Sequence, residues 1–405
     1  MRNPSITSGG SLGPLFPYIN AYSAKLKEER YATDSTRRHL RAFKRFSRWL
    51  GRTNRGVRDL NEAVTSNFLR FVKGRSCKED ARAMVWRLLP MLRRMEAIPP
   101  PKVQLTPAEQ LAQDYRHFLS EERGLAPGSV GLLGSFANRF LSAKFGGGRL
   151  SLSKLTALDV TSFVKHRAHQ HGPCYARNLV KGMRSLLRYL YYKHLVDTDL
   201  SNAVPKVACW SFATLPKFLS TEQVRQMLRH CDRTTSLGRR DYAILLLLAR
   251  LGLRASEVLR LNLEDIDWEN ARITVMGKGE RPAQLPLPAD AGKAVAFYLR
   301  HDRPRCACRR LFIRARPPIR GFGGASTVSG VVRGALAKAG VVVPGRKGAH
   351  LLRHGLATGM LRKGASLDEI GEVLRHKSRD ATAIYAKVDL ESLRVLALPW
   401  PGGAQ

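Results

Sequence analysis

The sequence is poor in acidic residues, in long apolar runs and in paired cysteines. Asp and Glu number 32 against 69 Lys and Arg, which leaves a formal net charge of +37. The longest apolar run, Ala243 to Ala249, stops at Arg250, far short of the ~20 residues that a bilayer-spanning helix requires. Residues 1–22 hold no apolar core of the about 7 to 15 residues found in a secretory signal, so export is not expected. The six cysteines (77, 174, 209, 231, 306 and 308) include no CxxC pair and read as reduced thiols in a cytoplasm. Cys306 and Cys308, near His301, have the wrong spacing for a zinc site.

What is abundant is positive charge on a folded chain. With 44% apolar and 25% charged residues the composition is globular, so the charge lies on a surface rather than in a disordered tail. A small acidic metabolite does not need so large an excess. A polyanion does, because each neutralised phosphate releases a condensed counterion. At about 150 residues per domain, 405 residues imply two or three domains.

Proline and capping residues mark three blocks: 13–97, 107–205 and 216–405. Ile98-Pro99-Pro100-Pro101 reads as a stiff linker, and after the breaks at Val204-Pro205 and Leu215-Pro216 the capping box Ser220-x-x-Gln223 opens a new helix. The first two blocks read as copies of one unit. Leu26 to Arg30 recurs as Leu119 to Arg123, Phe46 as Phe140, Ala81-Arg82 as Ala176-Arg177, Val85 as Val180, and Leu92-Arg93 as Leu187-Arg188, all at offsets of 93 to 95 residues. Helical periodicity (Leu40, Phe43, Phe46, Trp49/Leu50; Leu179, Met183, Leu186/Leu187, Leu190) predicts a bundle of about four helices in each. Their polar faces carry Arg37, Arg38, Arg41, Lys44, Arg45 and Arg48 in one copy, and Lys181, Arg184, Arg188 and Lys193 in the other. These are candidate phosphate contacts.

The third block is mixed. Asp241 to Leu251 predicts a buried helix, Gly252 a left-handed cap and Ala255 to Leu261 a further helix. Arg272 to Met276 and Ala283 to Leu287 predict a β-hairpin with Lys278 at its tip, and from Gly348 to Trp400 the pattern is helical. Five segments of this block carry chemistry when taken together: Arg254 after the cap, Lys278, His350-Leu-Leu-Arg353-His354, His376, and Tyr385. Two arginines, two histidines, a lysine and a tyrosine suit phosphodiester transfer without a metal. Arginine forks match the non-bridging phosphate oxygens and stabilise a pentacovalent transition state. A tyrosine can attack and conserve the bond energy as a phosphotyrosine, and a turn lysine can protonate the leaving 5′ oxygen. No Asp/Glu cluster of metal-ligand character accompanies them, which argues against two-metal nuclease chemistry.

The order Arg254, Lys278, His350-x-x-Arg353, His376, Tyr385 resembles that of the tyrosine recombinases, the phage integrase and Xer-like site-specific recombinases, over about residues 107 to 400. The resemblance implies a mainly α multidomain fold: helical SAM-like core-binding domains plus a mixed α/β catalytic domain with a small β-sheet. It implies that Arg254, Arg353, His350 and His376 hold the scissile phosphate, that Lys278 is the general acid, and that Tyr385 forms a 3′-phosphotyrosine. Glu257 resembles the acidic residue that supports the first arginine, and some members carry tryptophan where His376 stands. Double-stranded DNA is the expected partner. A homo-tetramer on paired recombination sites, joined by sister recombinases or accessory proteins, is expected from the apolar stripe Leu390, Leu393, Leu396, Leu398. No metal, cofactor, ATP or membrane is expected to take part. Residues 13–97 read as a duplicated clamp, or as an arm-site domain. The expected activity is strand cleavage and rejoining by an integrase of a mobile element. The alternatives are type IB topoisomerase-like relaxation and a catalytically silent DNA-binding regulator.

Overall fold

The computed structural model describes residues 13–100, 105–207, 216–277, 281–345, 347–376 and 378–388. The chain separates into two compact units, residues 101–213 forming one and residues 1–100 with 214–405 the other. It is mostly helical, and its one sheet has three strands among the described residues. No described helix is long and apolar enough to cross a membrane.

Residues 13–100 hold α1 (Ile19–Glu28), α2 (Thr33–Arg52), α3 (Glu62–Phe71) and α4 (Arg75–Arg94). The apolar stripe of α2 buries Phe43, Phe46 and Leu50 against Tyr22, Phe68, Met84 and Leu88, and Ile98 closes the same core. The opposite face leaves Arg37, Arg38, Arg41, Lys44, Arg45 and Arg48 exposed, as an amphipathic helix requires.

Residues 105–207 hold α5 (Pro107–His117), α6 (Pro127–Phe145), α7 (Ala157–His169) and α8 (Pro173–Tyr192). Reciprocal Thr106–Glu109 and Thr156–Asp159 hydrogen bonds cap α5 and α7. Every apolar position of the 93-to-95-residue correspondence is buried on both sides: Leu26 and Leu119, Phe46 and Phe140, Ala81 and Ala176, Val85 and Val180, Leu92 and Leu187. The basic face of α8 and of the residue that follows it departs from expectation at two places. Arg184 is half-buried and donates to the Val204 carbonyl at 3.0 Å, and the Lys193 ammonium pairs with Glu122 at 3.0 Å.

The remaining block begins with α9 (Thr221–Arg229), opened by the Ser220–Gln223 capping box. The next helix, α10 (Ser236–Leu251), starts five residues before the expected Asp241 because Thr235 caps it, its hydroxyl accepting from the Gly238 amide at 3.1 Å. That first turn is polar, so apolar periodicity does not reveal it. Gly252 ends α10 in the left-handed region at φ +56, and α11 (Ala255–Arg260) follows. Strands β1 (Ile266–Asp267), β2 (Arg272–Met276) and β3 (Pro282–Pro286) form an antiparallel meander with Thr274 opposite Gln284 and Met276 opposite Pro282. Two-residue β1 is too short for an alternation pattern and escaped the sequence reading. Then come α12 (Ala289–Phe297), α13 (Ala325–Lys338), α14 (His350–Leu361), α15 (Leu367–Leu374) and α16 (Asp380–Ala383). The predicted helical stretch from Gly348 is thus several short helices, broken at Gly364 and Arg375, both at positive φ. Its continuation to Trp400, with the leucine stripe from Leu390 to Leu398, lies outside the described residues.

Candidate active site

The cap of α10 sets the first arginine. After left-handed Gly252 the chain turns, and Arg254 occupies the extended position that precedes α11. The Glu257 carboxylate accepts the Arg254 amide at 2.9 Å and pairs with the Arg254 guanidinium at 2.6 Å, while its other side pairs with Arg375 at 3.1 Å. Its side chain is fully buried. Burial alone raises that carboxyl, but the Arg254 amide, the Arg375 charge and the Arg254 guanidinium outweigh it and hold Glu257 below its ordinary range. Arg375 adopts a left-handed backbone at φ +55, a conformation that costs a non-glycine residue roughly 1–2 kcal/mol. Its ion pair with Glu257 offsets that strain.

Arg353 is buried in α14 and donates to the Gly252 carbonyl at 2.6 Å and to the Leu374 carbonyl. It therefore ties the end of α10 to the end of α15. Burial, then the charges of Arg254 and Arg375, push its pKa down to about 10, and it stays cationic at neutral pH. His350 opens α14 with its side chain accessible. The surrounding protein, with Arg353 and Arg254, lowers its pKa.

Tyr385 is 1% exposed, packed on Ala357, Ile370 and Leu374. Burial pushes its phenol up to about 12, against the opposing pull of Arg353 and Arg254. The Tyr385 hydroxyl and Nδ1 of His354 are hydrogen-bonded at 2.8 Å. The His376 ring lies parallel to the tyrosine ring, 8° apart in plane and 6.3 Å between centroids. Nδ1 of His376 is hydrogen-bonded to the Thr382 hydroxyl at 2.7 Å. Burial lowers His354 to about 4, with help from His350 and Arg353, and lowers His376 to about 4, with help from Arg353 and Arg254. Both rings are neutral at pH 7.

The structure therefore brings Arg254, His350, Arg353, His376 and Tyr385 together. Lys278 lies outside the described residues. The root of its hairpin is described: the Gly277 amide donates to Arg281 at 2.9 Å, and Arg260 at the end of α11 donates to the Met276 carbonyl at 2.8 Å. Beside His350 and His354 opens a cleft of about 720 Å³, lined also by Lys217, Ser326, Ser329, Arg333 and Lys347. Cations and hydroxyls at that density fit a phosphate backbone better than an apolar ligand.

Sequence reasoning passed over His354, Arg375 and Thr382 as members of the site. A signal existed for His354, since four residues from His350 is one helical turn on the same face. None existed for Arg375, whose left-handed conformation is unexpected for arginine.

Residues 217–391 match the phage integrase family. The integrase/recombinase y4rA of Sinorhizobium fredii is 43% identical over 396 residues, which span 97% of this chain and 96% of that protein. This chain belongs to the phage integrase family. Tyrosine recombinase XerC of Myxococcus xanthus is 30% identical over 303 residues, 72% of this chain and 97% of its own. The crystal structure of the XerH site-specific recombinase bound to a palindromic difH substrate shares the fold, with a TM-score of 0.56 at 19% identity over 70% of this chain and 83% of that one. As a tyrosine recombinase the protein is an enzyme of site-specific DNA recombination. Its mostly helical fold with a small sheet matches the architecture of that family.

Proposed function

We propose that this tyrosine recombinase cuts and rejoins the DNA of a mobile element through a 3′-phosphotyrosine on Tyr385. The observation that carries the reading is the convergence of Arg254, His350, Arg353 and His376, from separate segments, around one buried tyrosine. Arg254 and Arg353 stabilise the negative charge that the phosphate gains in the transition state, each such group being worth about 10²–10³ in rate. Neutral His350 and His376 donate N–H hydrogen bonds to non-bridging oxygens, and the anion they bind raises their pKa values toward the ordinary range. Lys278 protonates the 5′ oxygen as it leaves. Neither metal nor ATP enters this scheme.

In this reading residues 216–405 form the catalytic domain. Residues 107–205 form the core-binding domain and 13–97 its duplicate, which lengthens the footprint on the duplex through the exposed arginines of α2. The name of the relative y4rA, an integrase/recombinase, supports a role in integration. A homo-tetramer on two paired sites, working in the cytoplasm, completes the proposal.

The test is covalent trapping on a nicked suicide substrate in EDTA. The expected result is a protein–DNA adduct that survives denaturation and disappears in Tyr385→Phe. An adduct undiminished in that variant overturns the assignment. Relaxation of a plasmid that lacks the cognate site would mark topoisomerase behaviour instead.

A further inference from the structure

We propose that His354, outside the six residues of the motif, is the base that receives the phenolic proton of Tyr385 and returns it on strand rejoining. The inference rests on the reading of Tyr385 as nucleophile. His354 is the group seen touching the reacting oxygen, with Nδ1 2.8 Å from the hydroxyl, inside the reach that proton transfer requires.

Among the described residues, the other neighbours are committed or chemically unsuited. Arg254 and Arg353 are donors only. Nδ1 of His376 is occupied by Thr382 at 2.7 Å, and its ring lies face to face with the tyrosine ring rather than edge-on to the hydroxyl. The Glu257 carboxylate is held by two guanidiniums and the Arg254 amide. His350 is removed by one turn, its ring 6.2 Å from that of His354. Water has little access to a tyrosine that is 1% exposed.

The proposal requires one tautomer: for the phenol to donate to Nδ1, the resting His354 ring carries its proton on Nε2. During cleavage the bond from Tyr385 Oη to phosphorus forms as the bond from phosphorus to O5′ breaks. The phenolic proton passes to Nδ1 and gives an imidazolium, while Lys278 delivers a separate proton to O5′. In the resting protein the proton stays on the phenol, because burial holds the imidazole low and the phenol high. Bond formation to phosphorus acidifies the phenol, and the anionic phosphate offsets the charge of Arg353 that suppresses His354. The nucleophile is thus armed only when a phosphate is in place.

The experiment compares single-turnover adduct formation in wild type, His354→Ala, His354→Gln, Lys278→Ala and Tyr385→Phe. His354→Ala and His354→Gln should each slow it by about 10²–10⁴. Free imidazole should restore His354→Ala at least about tenfold, in proportion to its unprotonated fraction, and should leave His354→Gln and Tyr385→Phe unchanged. A substrate with sulfur at the bridging 5′ position needs no proton on its leaving group, so it should rescue Lys278→Ala and not His354→Gln. If both His354 variants cleave at the wild-type rate while Tyr385→Phe is inactive, the base assignment falls and the nucleophile stands. If they are slow but imidazole gives no rescue, or if the sulfur substrate rescues His354→Gln, His354 only positions the tyrosine and the proposal is overturned. An adduct in Tyr385→Phe overturns the underlying reading instead.

Discussion

Replacing Glu257 by glutamine tests whether the arginine geometry depends on one buried charge. The carboxylate accepts from Arg254 at 2.6 Å and 2.9 Å and from Arg375 at 3.1 Å, with a side chain fully withdrawn from water. A glutamine keeps one acceptor oxygen and turns the other into an NH₂ that faces a guanidinium, so donor meets donor. Breaking a buried ion pair by removing one partner costs about 3–5 kcal/mol. At about 2–4 °C per kcal/mol for a domain of 150–250 residues, the melting temperature should fall by roughly 10 °C. The larger effect is kinetic: with its partner gone, Arg254 loses its aim, and adduct formation should drop at least about 10²-fold, the scale of a lost oxyanion donor. Duplex affinity, carried by many surface cations, should stay within about threefold. Scanning calorimetry and quench-flow trapping on a suicide substrate read the two quantities, and Glu257→Gln combined with Arg375→Gln should recover part of the lost stability. A single variant that melts within 1 °C of wild type and cleaves at the wild-type rate refutes the reasoning.

Gly252→Ala should lose about 1–3 kcal/mol, because a Cβ there lies 2.7 Å from Leu374 Cδ2 and 3.0 Å from Leu356 Cδ2 at φ +56, and cleavage should fall with it as the Arg353 anchor shifts. Chemical denaturation that matches wild type would contradict this. His39, His354 and His376 all have pKa values depressed to about 4 in the folded chain, so the unfolded state binds more protons below the ordinary histidine value of 6.5. Stability should be full above pH 6.5 and decline as pH falls toward 4. A melting temperature that is flat across that interval, or rises on acidification, rules the linkage out. Neutralising Lys217, Arg333 and Lys347 together should reduce the slope of log K against log salt by about 3, at ~0.9 per phosphate contact. An unchanged slope in fluorescence anisotropy would show that the cleft does not meet the backbone.

The sequence was most informative where one residue type does a local job. The helices of both bundles, the cap at Gly252 and the hairpin strands are set by periodicity, capping and turn chemistry within a few residues. Five of the motif residues, Arg254, His350, Arg353, His376 and Tyr385, lie in the described residues at or near helix starts, turns or short loops, where local signals are strong. Their ordering resembles a family motif. The burial of Tyr385 was not legible. Tyr385 sits among Ala357, Ile370 and Leu374, contacts between α14, α15 and the loop after α16 that no local pattern encodes. The ion-pair hub of Glu257 spans 118 residues to Arg375, and a left-handed arginine runs against the propensity that would predict glycine there. Polar helix starts such as Ser236 and strands of two residues such as Ile266–Asp267 carry too little periodicity to register.

The six-residue helix α11 has a mechanical consequence. Its leading end fixes Arg254 through Glu257, and its trailing end holds the hairpin root through Arg260, at 2.8 Å from the Met276 carbonyl. Arg254 and the root of the β2–β3 hairpin therefore ride on one short rigid rod of about 9 Å, at 1.5 Å rise per residue. Any tilt that a duplex imposes on this rod displaces both at once. With the roles proposed for Arg254 and Lys278, misalignment on a wrong sequence then weakens charge stabilisation and leaving-group protonation together. Two moderate losses multiply into one large one, and that product gives a short helix leverage over where the enzyme cuts.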